Sequence, residues 1–418
     1  MLSSEYAGVH PHNNRLGAEV SGEVRHYDKA EKEGKVSTIQ EVSRSDKADA
    51  NNLEEPFWFG KRVLITGGDG FVAANLAKAL VQLNANVVVV VRHQRPVSTL
   101  KLLSLNDATP DIEYSDLSNF TQVQRLCDRH QIDTIFHLAA SAIVRDASNS
   151  PASTFDNNIT PTLNLLETAR INKIPRVLIA SSDKSYGDHA DADDPEKIPY
   201  RESYALRGLD VYSASKVCAD MISQSYAFQF KLPMLILRPC NIYGPGDLNF
   251  TRLIPRTILR LLLGSTPVIN ERNSKVLREY IYIDDLVEAY IYLAEQMERH
   301  YLDKMPQTGR ATYGWAAYNV GSYVPRDNFR PNRCPNIRTV GQVIDQIKSK
   351  LGKSDVESQI VPKPANFIEI PDQYADSSKI LNMGFESKTT LDEGLDKTIE
   401  WYKQNSDHLI RVGYKYLT

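Results

Sequence analysis

Cysteine is scarce in this 418-residue chain: Cys127, Cys218, Cys240 and Cys334 are widely separated and form no CxxC pair. Neither a zinc ribbon nor a disulfide framework is built from such a set, and a reducing cytoplasm fits it best. Long apolar runs are missing as well. The longest purely aliphatic one is Val87 to Val91, far below the roughly 18 residues of a membrane span. The first thirty residues hold no apolar core of a signal peptide, so a cytoplasmic protein with no membrane partner is expected. An excess of charge of either sign is also absent, since 49 Lys plus Arg against 52 Asp plus Glu leave a formal charge of -3. A chain so balanced does not hold nucleic acid or an acidic membrane through bulk charge, and selectivity has to come from a local site.

What is present is the composition of a globular chain, 42% hydrophobic and 24% charged, and its length suggests two or three domains. Residues 1 to about 55 are dominated by Glu, Lys, Ser, Asp and Asn with no steady apolar period. This predicts a mobile arm, or else a segment that docks on a neighbouring subunit. From Phe57 the texture changes. Arg62 to Thr66 and Asn86 to Val91 are short, β-branched and uninterrupted, as strands buried on both faces of a parallel sheet are. Between them, Phe71, Asn75, Leu76, Ala79 and Leu80 recur at helical spacing. Further strands are expected at Asp111 to Tyr114, Thr134 to His137, Arg176 to Ala180 and Met234 to Leu237, each separated by helix-length material. This βαβ alternation predicts an α/β fold, a Rossmann-type doubly wound parallel sheet with a smaller C-terminal α/β substrate lobe. The expected division is an arm over 1–55, a dinucleotide-binding domain over 56–245 and a region over 246–418 that is mainly the substrate lobe. In the last region, helices are expected at Leu253 to Leu263, Asp285 to Gln296, Val340 to Leu351 and Leu391 to Gln404, and short strands at Glu279 to Ile283 and Tyr318 to Val320. Tyr301 to Trp315, polar and punctuated by Gly and Pro, reads as a surface insertion.

Immediately after the first strand stands Thr66-Gly67-Gly68-Asp69-Gly70-Phe71-Val72-Ala73. Gly67 permits a tight turn, Gly70 lets a dinucleotide pyrophosphate approach the backbone, and the small Ala73 allows a helix to pack closely on a strand. The helix start, with Phe71 and Val72, then offers N–H groups to the phosphates. The second strand ends in Arg92-His93-Gln94-Arg95, where NAD enzymes usually place an acid. Arg92 and Arg95 match a 2′-phosphate, so NADP is the expected cofactor, with NAD the alternative and solvated surface charges the plain reading. Tyr212 and Lys216 stand four apart on one helix face, which brings a phenol and an ammonium together. A lysine beside a tyrosine favours the phenolate, which is otherwise scarce at neutral pH. Upstream, Ser182 leaves a strand end where its hydroxyl can meet a substrate hydroxyl.

Taken together, the chain resembles an extended short-chain dehydrogenase/reductase of the sugar-nucleotide epimerase/dehydratase family over about residues 57 to 404. The likeness rests on separate stretches in the family's order: His137-Leu138-Ala139-Ala140, Asn158, the Ser182/Tyr212/Lys216 set, Arg238 to Gly244, Arg278 to Asp285, Tyr318 to Gly321 and Leu391 to Tyr402. Within the family it is most similar to CDP-glucose 4,6-dehydratases, through Phe57 to Val63, Ile143-Val144-Arg145 to Pro151, Phe155 to Glu167 and Ser182-Asp183-Lys184. It departs from them at Ala73, at Ser141 and in Arg278-Glu279-Tyr280-Ile281-Tyr282.

The resemblance implies roles. Tyr212 is the general base, Lys216 holds the nicotinamide ribose and lowers the tyrosine pKa, and Ser182 orients the sugar 4-hydroxyl. Asp116 and Leu117 meet the adenine, and Leu138, Ala139 and Ala140 line the cofactor. Asn241, Arg278 and Arg145 bind the sugar-nucleotide substrate, where amide and guanidinium donors suit phosphate oxygens. A 4,6-dehydratase would use Asp183 to protonate the departing 6-hydroxyl and Lys184, or a water it orients, to take the C5 proton. A 4-epimerase would use the same tyrosine and lysine without an acid at Asp183, and a catalytically silent NAD(P)-binding member is a third reading. No metal is called for. A homodimer is implied through a four-helix contact of helices Phe155 to Arg170 and Tyr212 to Phe230.

Overall fold

In a computed structural model, residues 55–417 are described, apart from 95–96, 104–108, 143, 190–197, 272, 305–313, 326–330 and 363–369. The arm expected over residues 1–54 lies outside the described residues. The first half of the chain runs β1 (Arg62–Thr66), α1 (Phe71–Gln82), β2 (Asn86–Val91), α2 (Thr99–Leu102), β3 (Asp111–Tyr114), α3 (Phe120–Arg129), β4 (Thr134–His137), α4 (Val144–Asn149), α5 (Pro151–Ile171) and β5 (Arg176–Ala180). After a 3-10 turn at Asp183–Tyr186 come α6 (Val211–Phe230), β6 (Met234–Pro239), β7 (Asn241–Tyr243), α7 (Leu253–Leu262), β8 (Val268–Asn270) and β9 (Leu277–Tyr282). The remainder is α8 (Ile283–Lys304), β10 (Ala317–Val320), β11 (Ile337–Thr339), α9 (Val340–Lys350), β12 (Gln359–Val361), α10 (Ser378–Leu381), α11 (Leu391–Gln404) and α12 (Ser406–Leu417).

The main sheet has the order β10-β6-β5-β4-β1-β2-β3, and every pairing in it is parallel. Apart from the exposed edge strand β3, the strands are largely apolar because both faces are covered. Val63, Ile65, Val87 and Val89 enter one core with α1 and α8. Leu64, Val88, Val90, Val177 and Ile179 enter a second core with α3 and α5. Side chains alternate across a strand, so each residue of such a run serves one core or the other. Two smaller sheets lie outside the main one, β11-β9-β7 and β12-β8. Among the described residues no helix is long and apolar enough to cross a membrane.

Two parts of the region after 245 belong with the main sheet rather than with a separate lobe. β10 adds beside β6 as the outer strand, and α8 packs on α1, β5 and β6. The expected strand at Glu279 begins earlier and ends at Tyr282, because Ile283 already opens α8. Tyr301 to Lys304 continue α8 instead of starting a surface insertion. Trp315, expected on that insertion, packs against both cores; residues 305–313 lie outside the described residues.

The catalytic-type helix α6 is fixed to β6 by a buried ion pair. Arg238 Nε and Nη2 donate to Asp220 Oδ2 and Oδ1, each at 2.9 Å, and both side chains are fully buried. Ser181 and Gln224 complete the carboxylate at 2.6 and 2.7 Å. Burial works against ionisation of Asp220, and Arg238 with these donors overcomes it, holding the carboxyl below its usual range. The remaining guanidinium donor reaches Tyr186 Oη at 2.9 Å, which in turn donates to Asn319 of β10 at 2.7 Å. Removing one partner of a buried pair leaves the other charge uncompensated. Asp220→Asn is therefore expected to cost about 3–5 kcal/mol in denaturant unfolding, and a loss below about 1 kcal/mol would refute the anchoring role. With a depressed folded pKa, the Asp220 contribution is in force above the unfolded carboxyl value of about 3.9 and is lost as pH falls through the folded value.

Candidate active site

All strands of the main sheet point the same way, so the segments after β1, β4, β5 and β6 gather along one edge, where open α/β sheets bind ligands. The strand order reverses between β1 and β4. There the glycine loop after β1 touches the segment after β4: Gly67 has φ +69°, and a Cβ on it would lie 2.9 Å from Ala139 Cα. Gly68 is pressed against β2, where a Cβ would lie 2.5 Å from Val89 Cβ. Gly70 caps α1 in extended conformation with no side chain bound to the helix start. No side chain caps the N–H groups of the first turn, which carries Phe71 and Val72. That is a cradle suited to a pyrophosphate, and the residues present fit a dinucleotide.

A relay of hydroxyls joins this loop to α6. Thr66 Oγ1 accepts the backbone N–H of Leu138 and of Ala139, both at 3.0 Å. Its own proton is then available to His137 Nδ1, 2.8 Å away. Burial, and secondarily Lys216, push the His137 imidazole down to about 3. The ring is neutral, and Nε2 carries its proton toward Thr162 Oγ1 at 3.0 Å. Thr162 donates to the backbone carbonyl of Asn158 at 2.8 Å. Asn158 Nδ2 donates to Ser215 at 2.8 Å, and Ser215 to the backbone carbonyl of Tyr212 at 2.7 Å. The cofactor loop and the first turn of α6 are thereby held in one register.

On α6, Asp210 caps the helix by accepting Ser213 N–H at 3.0 Å, and Tyr212 and Lys216 follow on one face. The Lys216 amine is buried and donates to the backbone carbonyl of Ala180 at the end of β5. Burial lowers it to about 8, against the pull of Asp220. Against the expected lowering by Lys216, burial raises the Tyr212 phenol to about 12, and it is Arg252 and a hydrogen bond with Ser182 that pull it back. Ser182 also donates to Asp183 Oδ1 at 3.2 Å. Asp183 is buried, and desolvation lifts its carboxyl above the usual range despite Lys184, Ser182 and Arg278. Its Oδ2 is buried without a hydrogen-bond partner. Lys184 reaches across to the C-terminal part of the chain and donates to Gln373 Oε1 at 3.1 Å. Ser182, Asp183, Lys184 and Tyr212 thus form one cluster.

Other residues singled out in the sequence lie around it. Asn241 Nδ2 donates to the backbone of Glu279 at 2.9 Å, stitching β7 to β9. Arg278 is buried; its guanidinium donates to carbonyls of Leu277, Pro371 and Ile370, and its charge acts on Asp183. Arg92 is exposed at the end of β2 and donates to Asn157 of α5 at 2.7 Å. Asp116 accepts Ser118 N–H at 3.0 Å, which with Arg92 holds its carboxyl below the usual range. Leu117 is buried, and Leu138 and Ala140 are half-buried beside the glycine loop. Arg95 and the Arg145 side chain lie outside the described residues.

Three residues were missed by sequence reasoning. Arg252, paired with Asp247 at 2.9 Å, is the cation with the largest favourable influence on Tyr212. Glu279, noted only as a departure from the family pattern, is buried and accepts the N–H groups of Ser322, Tyr323 and Ala375. Gln373 has no signal of its own in the sequence.

A glycine-loop cradle at the switch point and a Tyr/Lys pair beside a strand-end serine suit an enzyme that works with a nucleotide cofactor. Residues 63–303 match the profile of the NAD dependent epimerase/dehydratase family, and the chain belongs to that family. It is 29% identical, over 83% of its length, to a trifunctional UDP-glucose 4,6-dehydratase/UDP-4-keto-6-deoxy-D-glucose 3,5-epimerase/UDP-4-keto-L-rhamnose-reductase of Arabidopsis thaliana, of which it spans 48%. It is 27% identical to a CDP-glucose 4,6-dehydratase of Salmonella typhimurium, covering 84% of this chain and 93% of the relative. A dTDP-glucose 4,6-dehydratase of Streptomyces venezuelae, solved with NAD bound, shares the fold at TM-score 0.68 with 22% identity, covering 83% of this chain and 98% of that one.

Proposed function

We propose that the protein is a nucleoside-diphosphate-hexose 4,6-dehydratase that uses a nicotinamide dinucleotide and returns it unchanged. The observation that carries this reading is Asp183, a buried carboxyl raised by desolvation with one oxygen unpartnered, in the same cluster as Tyr212 and Ser182. A buried carboxyl shifted toward its protonated form, with an oxygen free to face a ligand, suits protonation of a departing hydroxyl. The dehydratases among its relatives support the same choice.

The bound nicotinamide would supply a reversible hydride acceptor. Tyr212 takes the 4-hydroxyl proton while Ser182 orients that hydroxyl. The C4 carbonyl so formed makes the C5 proton acidic, and Lys184, or a water it orients, removes it. Asp183 gives its proton to the 6-oxygen, which leaves as water. Return of the C4 hydride to C6 and of a proton to C5 would then give a 4-keto-6-deoxy sugar with no net oxidation. Asn241, Arg278 and Arg145 are assigned to the nucleotide-sugar diphosphate, and Asp116 and Leu117 to the adenine. Arg92, exposed at the end of β2, favours the 2′-phosphate of NADP. Leu163 and Ile171 on α5, with Met221 and Phe230 on α6, are exposed apolar side chains and support a homodimer through these helices.

Incubation with CDP-, UDP-, GDP- and dTDP-glucose should give a 4-keto chromophore in alkali with at least one of them. Asp183→Asn should lower that product about 10²-fold or more while C4 oxidation persists. A changed C4 configuration with no keto product would identify a 4-epimerase instead. Stripped protein should bind NADP more tightly than NAD; equal or tighter NAD binding overturns that preference. Light scattering should give the mass of two chains, and a monomer at micromolar concentration contradicts the helix contact.

A further inference from the structure

Gln373 lies between β9 and the turn after β5. Its backbone is stitched to β9, with its N–H on Leu277 O at 3.1 Å and its carbonyl on Glu279 N–H at 3.2 Å. Two residues on, Ala375 N–H is held by the buried Glu279 carboxyl at 3.1 Å. The side chain is therefore presented from a fixed segment, and it is fully buried. Its orientation is settled by its neighbour. The ammonium form of Lys184 only donates, so the oxygen of the amide faces it at 3.1 Å, and Nε2 is turned away from it. That Nε2 is buried and has no hydrogen-bond partner.

A second orphan belongs to the same cluster. Asp183 Oδ2, one residue from Lys184 and under the influence of its charge, is also buried without a partner. Buried polar atoms are ordinarily satisfied, and two exceptions around one ammonium call for an explanation. One orphan is a donor and the other belongs to a carboxyl, and a hydroxyl group satisfies both. We infer that Gln373 is a sugar-binding residue, whose Nε2–H and the Asp183 carboxyl together hold one hydroxyl of the substrate. With Asp183 protonated, the hydroxyl oxygen accepts from both groups, an arrangement that stabilises an oxygen about to leave. With Asp183 ionised, the hydroxyl accepts from Gln373 and donates to Oδ2.

The inference rests on the sugar-nucleotide reading, and its test separates sugar from nucleotide. Binding of UDP-, CDP- and dTDP-glucose, and of UDP, CDP and dTDP, is measured by calorimetry on wild type, Gln373→Leu and Gln373→Glu. The glutamate variant keeps an acceptor for Lys184 and loses the donor. Both variants should bind the preferred sugar nucleotide about tenfold more weakly while binding its nucleoside diphosphate within about twofold of wild type. Turnover to the keto sugar should fall about 10²-fold. Equal losses for sugar nucleotide and nucleoside diphosphate, or no loss for either, overturn the assignment. Should wild type form no keto sugar while the sugar-selective loss persists, the dehydratase reading fails and the assignment of Gln373 stands.

Discussion

The Arg238–Asp220 pair is the constraint on which the rest of the site depends. It lies wholly out of water, so its worth comes from geometry: two parallel hydrogen bonds and filled valences on both partners. Through it the helix bearing Tyr212 and Lys216 is locked to a strand of the sheet. Through Tyr186 and Asn319 the same network reaches the turn after β5 and the outer strand β10. Tyr212 and Lys216 thus inherit their positions from a buried pair that ties their helix to β6.

Asp220 and Asp183 show how one residue type is set to opposite tasks. Both are buried, and desolvation pushes both toward the neutral form. Asp220 has a guanidinium and two neutral donors arranged around it and remains a carboxylate. Asp183 has an ammonium on one side, a hydroxyl on the other, and one oxygen with nothing bound. The fold supplies compensation around Asp220 and leaves Asp183 with less of it, so the two carboxyls shift in opposite directions.

The main sheet was legible because strands buried on both faces must be apolar at every position, and runs such as Val87 to Val91 have no other common use. The glycine loop was legible because contacts as short as that of Gly67 with Ala139 exclude a side chain, and the Tyr212/Lys216 pair because helical spacing puts positions four apart on one face. Adjacency in sequence brought Ser182, Asp183 and Lys184 into view. What escaped was long-range. Gln373 meets Lys184 across 189 positions, and Arg252 approaches Tyr212 from the start of α7, neither announced by local pattern. The place of β10 in the main sheet was hidden for the same reason: four residues show that a strand exists but not which edge it joins.

That outer strand also bears on how the molecule is made. β6 has β5 on one side and, until the chain has been extended through β7, β8, β9 and α8, a bare row of backbone groups on the other. An uncovered parallel edge is slow to find its partner and open to wrong ones while it waits. The main sheet therefore cannot be completed during synthesis before β10 has emerged. Pairing of β10 with β6 is thus a late, long-range step.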